Sequence, residues 1–193
     1  MTELELIEIL KDTGAYQEGH FKLSSGLHSP NYVQCSQLLK YPNLSEKVCK
    51  EIGKLYEDEA IDLVVGPAIG GILVAYEVAR ALGKPAIFAE RENGVMTLRR
   101  GFYVEKGTRC LVTEDVLTTG GSAQEVVDLL EQNGAIVVGA TSIIDRTKGN
   151  TIKLKVPYRS LLALDIPTFT DEDCPEWLKE RPIQKPGSRP GLV

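Results

Sequence analysis

The stretch CLVTEDVLTTGGSAQEVV, residues 110–127, decides the fold. It begins with an apolar run typical of a buried parallel strand, which ends in two adjacent acids, Glu114 and Asp115. The chain then passes through Thr118, Thr119 and a glycine pair into an amphipathic helix. Ligands of open α/β sheets bind beyond the carboxyl ends of the strands, and a glycine-rich turn into a helix presents free N–H groups to a phosphate. The stretch therefore predicts an anion site at a strand-to-helix turn.

The acid pair narrows the ligand class, because two carboxylates beside a phosphate cradle would repel a simple anion. A phosphorylated sugar fits better, since carboxylates accept hydrogen bonds from ribose hydroxyls and favour positive charge on the ring. A simpler interpretation is also open: Ser122 caps the helix, the glycines form a tight turn, and the acids are a solvated strand end. The sequence is not a Walker loop, because no lysine follows the glycines.

Short apolar runs alternate with helical patterns from Ile61 onward, which predicts an α/β fold with an open, mostly parallel sheet and flanking helices. Two amphipathic helices, one ending at Gly14 and one over residues 44–58, surround a Ser-, Gly- and Pro-containing segment that predicts a small N-terminal hood. We divide the chain into N-terminal helices and hood (1–60), an α/β core (61–170) and an extended tail packed on the core (171–193). Trp177 is predicted to pack that tail on the body.

Two further segments suit an anionic ligand. The run VVGPAIGGILVA, residues 64–75, ends a strand in Gly66-Pro67 and opens a helix at Gly70-Gly71, which again offers backbone donors. Residues 86–108 are too long and polar for an ordinary strand connection and predict a mobile lid. Between positions 91 and 109 the lid is net positive, with Arg91, Arg99, Arg100, Lys106 and Arg109 against Glu92 and Glu105.

Composition excludes several classes of function. With 22 Lys plus Arg against 27 Asp plus Glu, the net charge of -5 gives no global attraction to nucleic acid or anionic lipid, so we expect neither a nucleic-acid nor a membrane partner. The four cysteines are widely spaced and only two histidines occur, so we expect no disulfide framework and no Cys/His cluster for zinc; Cys174 is predicted to be a free thiol without a partner. The acidic start differs from a signal peptide, and we expect a cytoplasmic protein.

The strand, acid pair and glycine loop together resemble the ribose-phosphate signature of the type I phosphoribosyltransferases. The hood segment FKLSSGLHSPNYV and the strand end SIIDRTKG (residues 142–149) extend the resemblance to the orotate phosphoribosyltransferase family over nearly the whole chain. The resemblance implies Glu114, Asp115 and Arg91 as catalytic residues. It implies a binding site for phosphoribosyl pyrophosphate made of Arg91, Glu114, Asp115, Val116, Leu117, Thr118, Thr119, Gly120, Gly121 and Ser122.

The same resemblance implies that Thr118 and Arg146 bind orotate, with backbone groups of residues 31–33 facing the pyrimidine. It also implies Mg²⁺ carried by the pyrophosphate substrate rather than held directly by protein ligands, and a homodimer whose lid reaches the neighbouring site. The chain departs from the family's pattern where many members carry lysine, at Ser24, Gly70 and Glu92. We hypothesise that Arg99 and Arg100 replace the usual lid lysine and histidine.

Two alternatives remain open from the sequence. The first is a phosphoribosyltransferase for a purine or another base, in which Arg146 serves the fold. The second is a regulator that keeps the nucleotide pocket but does not turn over, which the missing lysines favour. A scaffold without this pocket would need two phosphate-type loops and an Asp-Arg strand end to coincide by chance.

Overall fold

The computed structural model describes residues 1–23, 25–147 and 154–186. Helix α1 (Glu3–Asp12) begins with a capping box. The Glu5 N–H donates to the Thr2 hydroxyl, and the Thr2 N–H donates to the Glu5 carboxylate. The helix ends just before Gly14, whose φ of 73° lies in the left-handed region that glycine adopts readily. Ser24, Lys148 and Gly149, which the family resemblance had included, lie outside the described residues.

The remaining elements alternate as the sequence predicts. In chain order they are β1 (Tyr16–Lys22), β2 (His28–Val33), α2 (Ser36–Leu39), α3 (Pro42–Leu55), β3 (Leu63–Pro67), α4 (Gly70–Leu82), β4 (Ala86–Glu92), β5 (Val95–Leu98), β6 (Arg109–Leu117), α5 (Gly121–Gln132), β7 (Ile136–Asp145), β8 (Tyr158–Ala163), α6 (Glu176–Lys179) and β9 (Ile183–Gln184).

The main sheet has six strands in the order β5-β4-β3-β6-β7-β8. Every neighbouring pair is parallel except β4 and β5, which form an antiparallel hairpin at one edge. This confirms the predicted open, mostly parallel α/β sheet. The hairpin also shows that the predicted lid is partly ordered as sheet, with Arg91 opposite Met96 in the ladder.

Helices cover both faces of this sheet, which explains why its central strands are continuous apolar runs. Along β3, Val64 packs in the core shared with α3 and α4, whereas Leu63 and Val65 pack in the core shared with α5. Along β6, Leu111 and Val112 alternate in the same way. Because β3 and β6 are adjacent and parallel, the loops that follow them open at the same edge of the sheet.

The hood is a separate three-stranded sheet in the order β2-β1-β9. The third strand comes from the tail: β9 pairs in parallel with β1, His20 lying opposite Ile183. The hood is also fastened to the segment after β8, because the Ser29 hydroxyl donates to the Pro167 carbonyl at 3.0 Å. The small N-terminal hood is thus confirmed, and residues from the C-terminal part of the chain complete it.

The tail differs from the sequence prediction in how it packs. Trp177 is 51% exposed, so its proposed role as the anchor is wrong, and its neighbour Leu178 is fully buried instead. The two residues are adjacent in the short helix α6, about 100° apart around its axis, and the sequence alone did not reveal which of them faces the body. Among the described residues, no helix combines the length and the apolar character that crossing a membrane would require.

Candidate active site

Two loops meet at the carboxyl edge of the sheet, and we call them the acid-glycine loop (residues 114–122) and the proline-glycine loop (residues 66–71). Gly70, at the start of α4, lies directly against the Asp115 carboxyl, because a Cβ added at Gly70 would overlap it. Gly71 is equally confined, since its Cβ would lie 2.8 Å from Pro67 Cδ and 3.0 Å from the Thr113 carbonyl oxygen. The glycines let α4 begin in contact with β6, which brings the two loops together.

The acid pair lies partly buried where β6 ends. Burial, followed by repulsion from Asp115, raises the pKa of Glu114 to about 8. Burial likewise raises the pKa of Asp115, although its Oδ1 accepts a hydrogen bond from the Val116 N–H at 2.9 Å. No basic group among the described residues offsets either shift. The solvated strand end considered from the sequence is therefore wrong, because these carboxylates lie in a site that favours an added cation or hydroxyl donors.

The rest of the acid-glycine loop leads into α5 without a side-chain cap. Gly120 is the N-cap with φ 79°, and the Gly121 N–H donates to Thr119 Oγ1 at 3.3 Å. Ser122 is not the N-cap, so the simpler interpretation of a serine-capped turn is also wrong. Thr118 and Thr119 are exposed, whereas Leu117 is buried in the core and offers the site only backbone atoms. A helix start whose N-cap residue is a glycine, beside the exposed Thr118 and Thr119, leaves backbone N–H groups that suit a phosphate.

Arg91 lies at the end of β4 and faces α5. Its guanidinium forms a forked ion pair with Glu125, at 2.5 Å from Nη1 to Oε2 and 2.9 Å from Nη2 to Oε1. Nη1 also donates to the Gly94 carbonyl at 3.2 Å. Both side chains are nearly half exposed, at 45% and 43%. Sequence reasoning missed Glu125 as the partner of Arg91, since nothing in a pattern links positions 34 residues apart.

The other positive residues of the predicted lid divide into two groups. Arg99 and Arg100 lie near Arg91 and pair with acids of β4: Arg99 reaches Glu92 at 3.2 Å, and Arg100 reaches Glu90 at 2.9 Å. Arg109 instead begins β6, at the opposite edge of the sheet, where its Nε donates to the Ala60 carbonyl at 2.6 Å. Since a nine-residue strand is roughly 27 Å long, Arg109 does not belong to the lid.

Lys106 lies with Arg109 rather than with the lid, since its side chain is the one that a Cβ at Gly134 would meet, 3.1 Å from Lys106 Cγ. Gly134 follows the end of α5, far from the loop at which that helix begins. Of the positive residues between positions 91 and 109, only Arg91, Arg99 and Arg100 therefore lie on the site's side of the sheet, and each is paired with a glutamate. The net positive charge that the sequence predicted for the lid is therefore offset by these glutamates.

Arg146 directly follows β7, and its N–H donates to the Leu117 carbonyl at 2.8 Å, which places it beside the acid-glycine loop. Its Nε is buried and has no hydrogen-bond partner within the described part of the chain. Burial lowers the pKa of the Arg146 guanidinium, with an opposing contribution from the nearby Tyr32 of the hood. A half-buried guanidinium whose Nε is buried and unpaired costs free energy, so the arrangement fits an anionic ligand that would complete it.

The hood and the acid-glycine loop also touch through Cys35, which follows β2. Its thiol is fully buried and donates to the Asp115 carbonyl at 3.8 Å. Burial raises the pKa of Cys35 well above its ordinary value, so the thiol stays protonated and acts as a packing contact. All four cysteines are free. The sequence expectation that histidines and cysteines do not cluster is wrong, however, because His20, His28 and Cys174 come together under the hood.

Comparisons with known proteins agree with this geometry. The phosphoribosyl transferase domain model matches residues 34–172. An orotate phosphoribosyltransferase of Thermotoga maritima is 52% identical over 182 residues, which cover 94% of this chain and 97% of that protein. One of Pelotomaculum thermopropionicum is 49% identical over 189 residues, covering 98% and 99%. The crystal structure of orotate phosphoribosyltransferase from Aeropyrum pernix superposes with a TM-score of 0.70 at 29% identity, covering 82% of this chain and 93% of that one. The chain therefore belongs to the orotate phosphoribosyltransferase family.

Proposed function

We propose that this chain transfers the phosphoribosyl group of phosphoribosyl pyrophosphate to the ring nitrogen of orotate, giving orotidine 5'-phosphate and pyrophosphate in pyrimidine nucleotide synthesis. Family membership supports the reaction. The choice of base rests on one observation, the buried and unpaired Nε of Arg146 at the end of β7. A guanidinium matches a carboxylate in a forked geometry, and uracil, which lacks the carboxylate, would leave it unpaired.

The phosphoribosyl group is held by the acid-glycine loop in this proposal. The start of α5 and the hydroxyls of Thr118, Thr119 and Ser122 supply donors to the 5'-phosphate. The acids of the pair accept hydrogen bonds from the ribose hydroxyls. The proline-glycine loop and Arg91 receive the pyrophosphate, for which Arg91 must exchange its pairing with Glu125. Thr118, next to the hydrogen bond between Arg146 N–H and the Leu117 carbonyl, lies where orotate would meet the ribose.

Glu114 and Asp115 also favour the transition state. As the bond to pyrophosphate breaks, positive charge develops on the ribose ring, and a fixed pair of carboxylates stabilises that charge. Their hard oxygen atoms in a site without a basic partner fit substrate-borne Mg²⁺, which supplies charge neutralisation to the pyrophosphate leaving group. The raised pKa of Glu114 then falls when positive charge arrives, so the carboxyl ionises as the substrate binds.

Orotate is already anionic, so the protein needs no strong base to generate the nucleophile. Arg146 orients the base through its carboxylate, and the hood residue Tyr32 lies near the same guanidinium. The hood and the β4–β5 hairpin flank the site, where they exclude water from a reactive ribosyl centre. Positioning therefore accounts for much of the rate enhancement.

The deciding experiment measures pyrophosphate release from phosphoribosyl pyrophosphate and Mg²⁺ with orotate, uracil or hypoxanthine as the base. We expect turnover with orotate and at least about a hundredfold lower kcat/KM with uracil, because uracil leaves a buried charged donor unpaired. Preference for hypoxanthine would instead assign the chain to purine substrates. Binding of phosphoribosyl pyrophosphate without turnover on any base would favour a regulator.

We also propose a homodimer, as the family resemblance implies. Ile69, Leu73 and Tyr76 are spaced as i, i+4 and i+7 at the start of α4, and they are 82%, 47% and 64% exposed. An exposed apolar stripe next to the proline-glycine loop is typical of an interface. Replacing Leu73 and Tyr76 with glutamate should give a monomer in analytical ultracentrifugation, whereas the control Ile136→Glu, at the opposite sheet edge, should remain dimeric. A wild-type monomer at micromolar concentration would contradict the proposal.

We place the reaction in the cytoplasm. All four cysteines are free and buried in the structure, which suits a reducing compartment. No nucleic-acid or membrane partner enters the proposed reaction.

A further inference from the structure

A cluster of metal-ligating side chains lies under the hood, outside the active site. His20 of β1, His28 of β2 and Cys174 of the tail are 1%, 4% and 4% exposed. One potential ligand atom from each lies within 4.8 Å of the others. His20 Nε2 is 2.5 Å from His28 Nδ1, and Cys174 Sγ is 3.9 Å from His20 Nε2. Three segments that are far apart in the chain thus point donor atoms at one buried place.

The hydrogen bonds of the two outer nitrogens, His20 Nδ1 and His28 Nε2, determine whether the two inner nitrogens, which face each other, carry hydrogen. His20 Nδ1 faces the Arg181 carbonyl oxygen at 3.2 Å, and His28 Nε2 faces Asp171 Oδ1 at 2.5 Å. A carbonyl and a carboxylate only accept hydrogen bonds, so both outer nitrogens carry hydrogen. In neutral imidazoles the inner nitrogens then present two lone pairs to each other at 2.5 Å. Since two lone pairs repel, a cation belongs between them.

We propose that His20 Nε2, His28 Nδ1 and Cys174 Sγ bind a divalent transition-metal ion of the Zn²⁺ class. Two imidazole nitrogens and a thiolate are a donor set that zinc prefers. A bridging proton would also separate the two lone pairs, but it would not use the sulfur atom that reaches the same place. The Cys174 thiol releases its proton to solvent as the ion binds, and the resulting thiolate, together with the Asp171 carboxylate, reduces the net charge that is buried.

The surroundings match those of metal-bound histidines. In metal sites the ligating histidine usually donates its other ring N–H to a carboxylate or a backbone carbonyl. The Asp171 carboxylate accepts this hydrogen bond from His28, and the Arg181 carbonyl accepts it from His20. Asp171 is itself fixed by Lys22, whose Nζ lies 3.0 Å from Oδ1. These contacts set the tautomer and the direction of both rings before any ion arrives.

Movements of roughly 1 Å are needed to seat the ion, and the widest separation among the three ligand atoms, which is within 4.8 Å, must also shorten to about 3.6 Å. Two nitrogens bound at about 2.0–2.1 Å to a tetrahedral ion lie roughly 3.3 Å apart. The imidazoles therefore separate by slightly under about 1 Å from the present 2.5 Å. The 3.9 Å between sulfur and nitrogen is within a few tenths of an ångström of the roughly 3.6 Å that the same geometry requires. Three protein ligands leave the fourth position to a water molecule.

The ion would fasten the tail to the hood. Next to the cluster, His20 pairs with Ile183 in the β1–β9 ladder, and His28 forms a bridge with Phe169. Since the hood also carries Tyr32, which neighbours Arg146, loss of the ion should loosen the side of the site that faces orotate. We therefore expect metal removal to raise KM for orotate more than KM for phosphoribosyl pyrophosphate.

The test is metal binding by the full chain, independent of turnover. Protein stripped with a chelator is titrated with Co²⁺, and the thiolate-to-cobalt charge-transfer band is followed before displacement with Zn²⁺. We expect one ion per chain, loss of the band in Cys174→Ser, and an unchanged band in the control Cys110→Ser, whose cysteine lies in the main sheet. Asp171→Ala keeps all three ligands and should bind about 10- to 100-fold more weakly.

Circular dichroism of each variant shows whether it is folded, and the wild-type titration decides the question even if a variant is not. A wild-type chain with no thiolate-to-cobalt band would overturn the proposal, as would a Cys174→Ser variant that binds Co²⁺ as tightly as the wild type. The first outcome would leave a proton shared between the two imidazoles as the bridging cation.

Discussion

Replacing Arg146 with methionine separates a substrate-binding arginine from a structural one. Methionine keeps much of the length and apolar contact of the side chain but removes the guanidinium. If the guanidinium pairs with the orotate carboxylate, its loss removes a buried charged interaction, which costs about 2–5 kcal/mol in the transition state. At about 1.4 kcal/mol per factor of ten, kcat/KM for orotate falls roughly 30- to 4,000-fold. The value for uracil should change little, so the preference for orotate collapses.

The same substitution should not destabilise the free protein. The buried Nε of Arg146 is unpaired among the described residues, and such a donor costs about 1–3 kcal/mol. Removing it relieves that cost, so the melting temperature should stay constant or rise by a few degrees, at about 2–4 °C per kcal/mol. A structural arginine would behave in the opposite way, because its loss would lower the melting temperature.

Arg159→Met provides the matched control. The Arg159 guanidinium stacks 4.8 Å from the Tyr56 ring centroid and pairs with Glu59 at 3.3 Å, away from the loops of the site. Its loss should lower the melting temperature by about 2–4 °C and leave the selectivity for orotate unchanged. The assays are steady-state kinetics with both bases and thermal unfolding. An Arg146→Met enzyme that still prefers orotate by the wild-type factor would refute the assignment of Arg146.

Two other predictions concern the acid pair and the lid. The raised pKa of Glu114, about 8 against 4.5 in the unfolded chain, means that the folded state holds this proton more tightly. In the substrate-free protein, the contribution of Glu114 to the free energy of unfolding should therefore be fully present below pH 4.5. That contribution should fall by up to about 1.4 kcal/mol per pH unit as pH rises toward 8. Glu114→Gln should flatten that slope in thermal melts, and an unaltered slope would count against the shift. Glu125→Gln frees Arg91 and should lower KM for phosphoribosyl pyrophosphate severalfold, whereas Arg91→Ala should raise it at least about tenfold. Because the ion pair is half exposed, both variants should lose less than about 1 kcal/mol of stability, and a raised KM in Glu125→Gln would contradict the proposed exchange of partners.

The sequence predicted those parts of the molecule that depend on local pattern. The alternation of apolar runs and helical periods marked the parallel strands of the main sheet, because buried strands and amphipathic helices differ in spacing, whereas β5 lay inside the predicted lid. The acid pair and the glycines of residues 114–122 marked the carboxyl edge, because glycine is needed where a helix starts against a neighbouring strand. The structure adds the physical reason for the glycine pair Gly70-Gly71, because Gly70 lies directly against Asp115.

Contacts between distant segments could not be predicted in the same way. Arg109 counted as a lid residue by position, yet it begins β6 and binds the Ala60 carbonyl at the far edge of the sheet. Arg91 and its partner Glu125 are 34 residues apart in the sequence. His20 and Cys174, which lie in contact, are 154 residues apart. Side-chain direction at such distances is set by how helices and strands pack, and no periodicity in one sequence records it.

The parallel pairing of β9 with β1 has a consequence for the order in which the molecule forms. Residues 16–33 are synthesised before the main sheet, but the third strand of their own sheet, Ile183–Gln184, is synthesised after all six strands of the main sheet. The strands that carry both loops of the site lie between them and can assemble first, since domains generally fold from the N-terminal side during synthesis. The base-binding side would thus mature after the phosphate loops, and a chain cut short after β8 would keep those loops while leaving the hood incomplete.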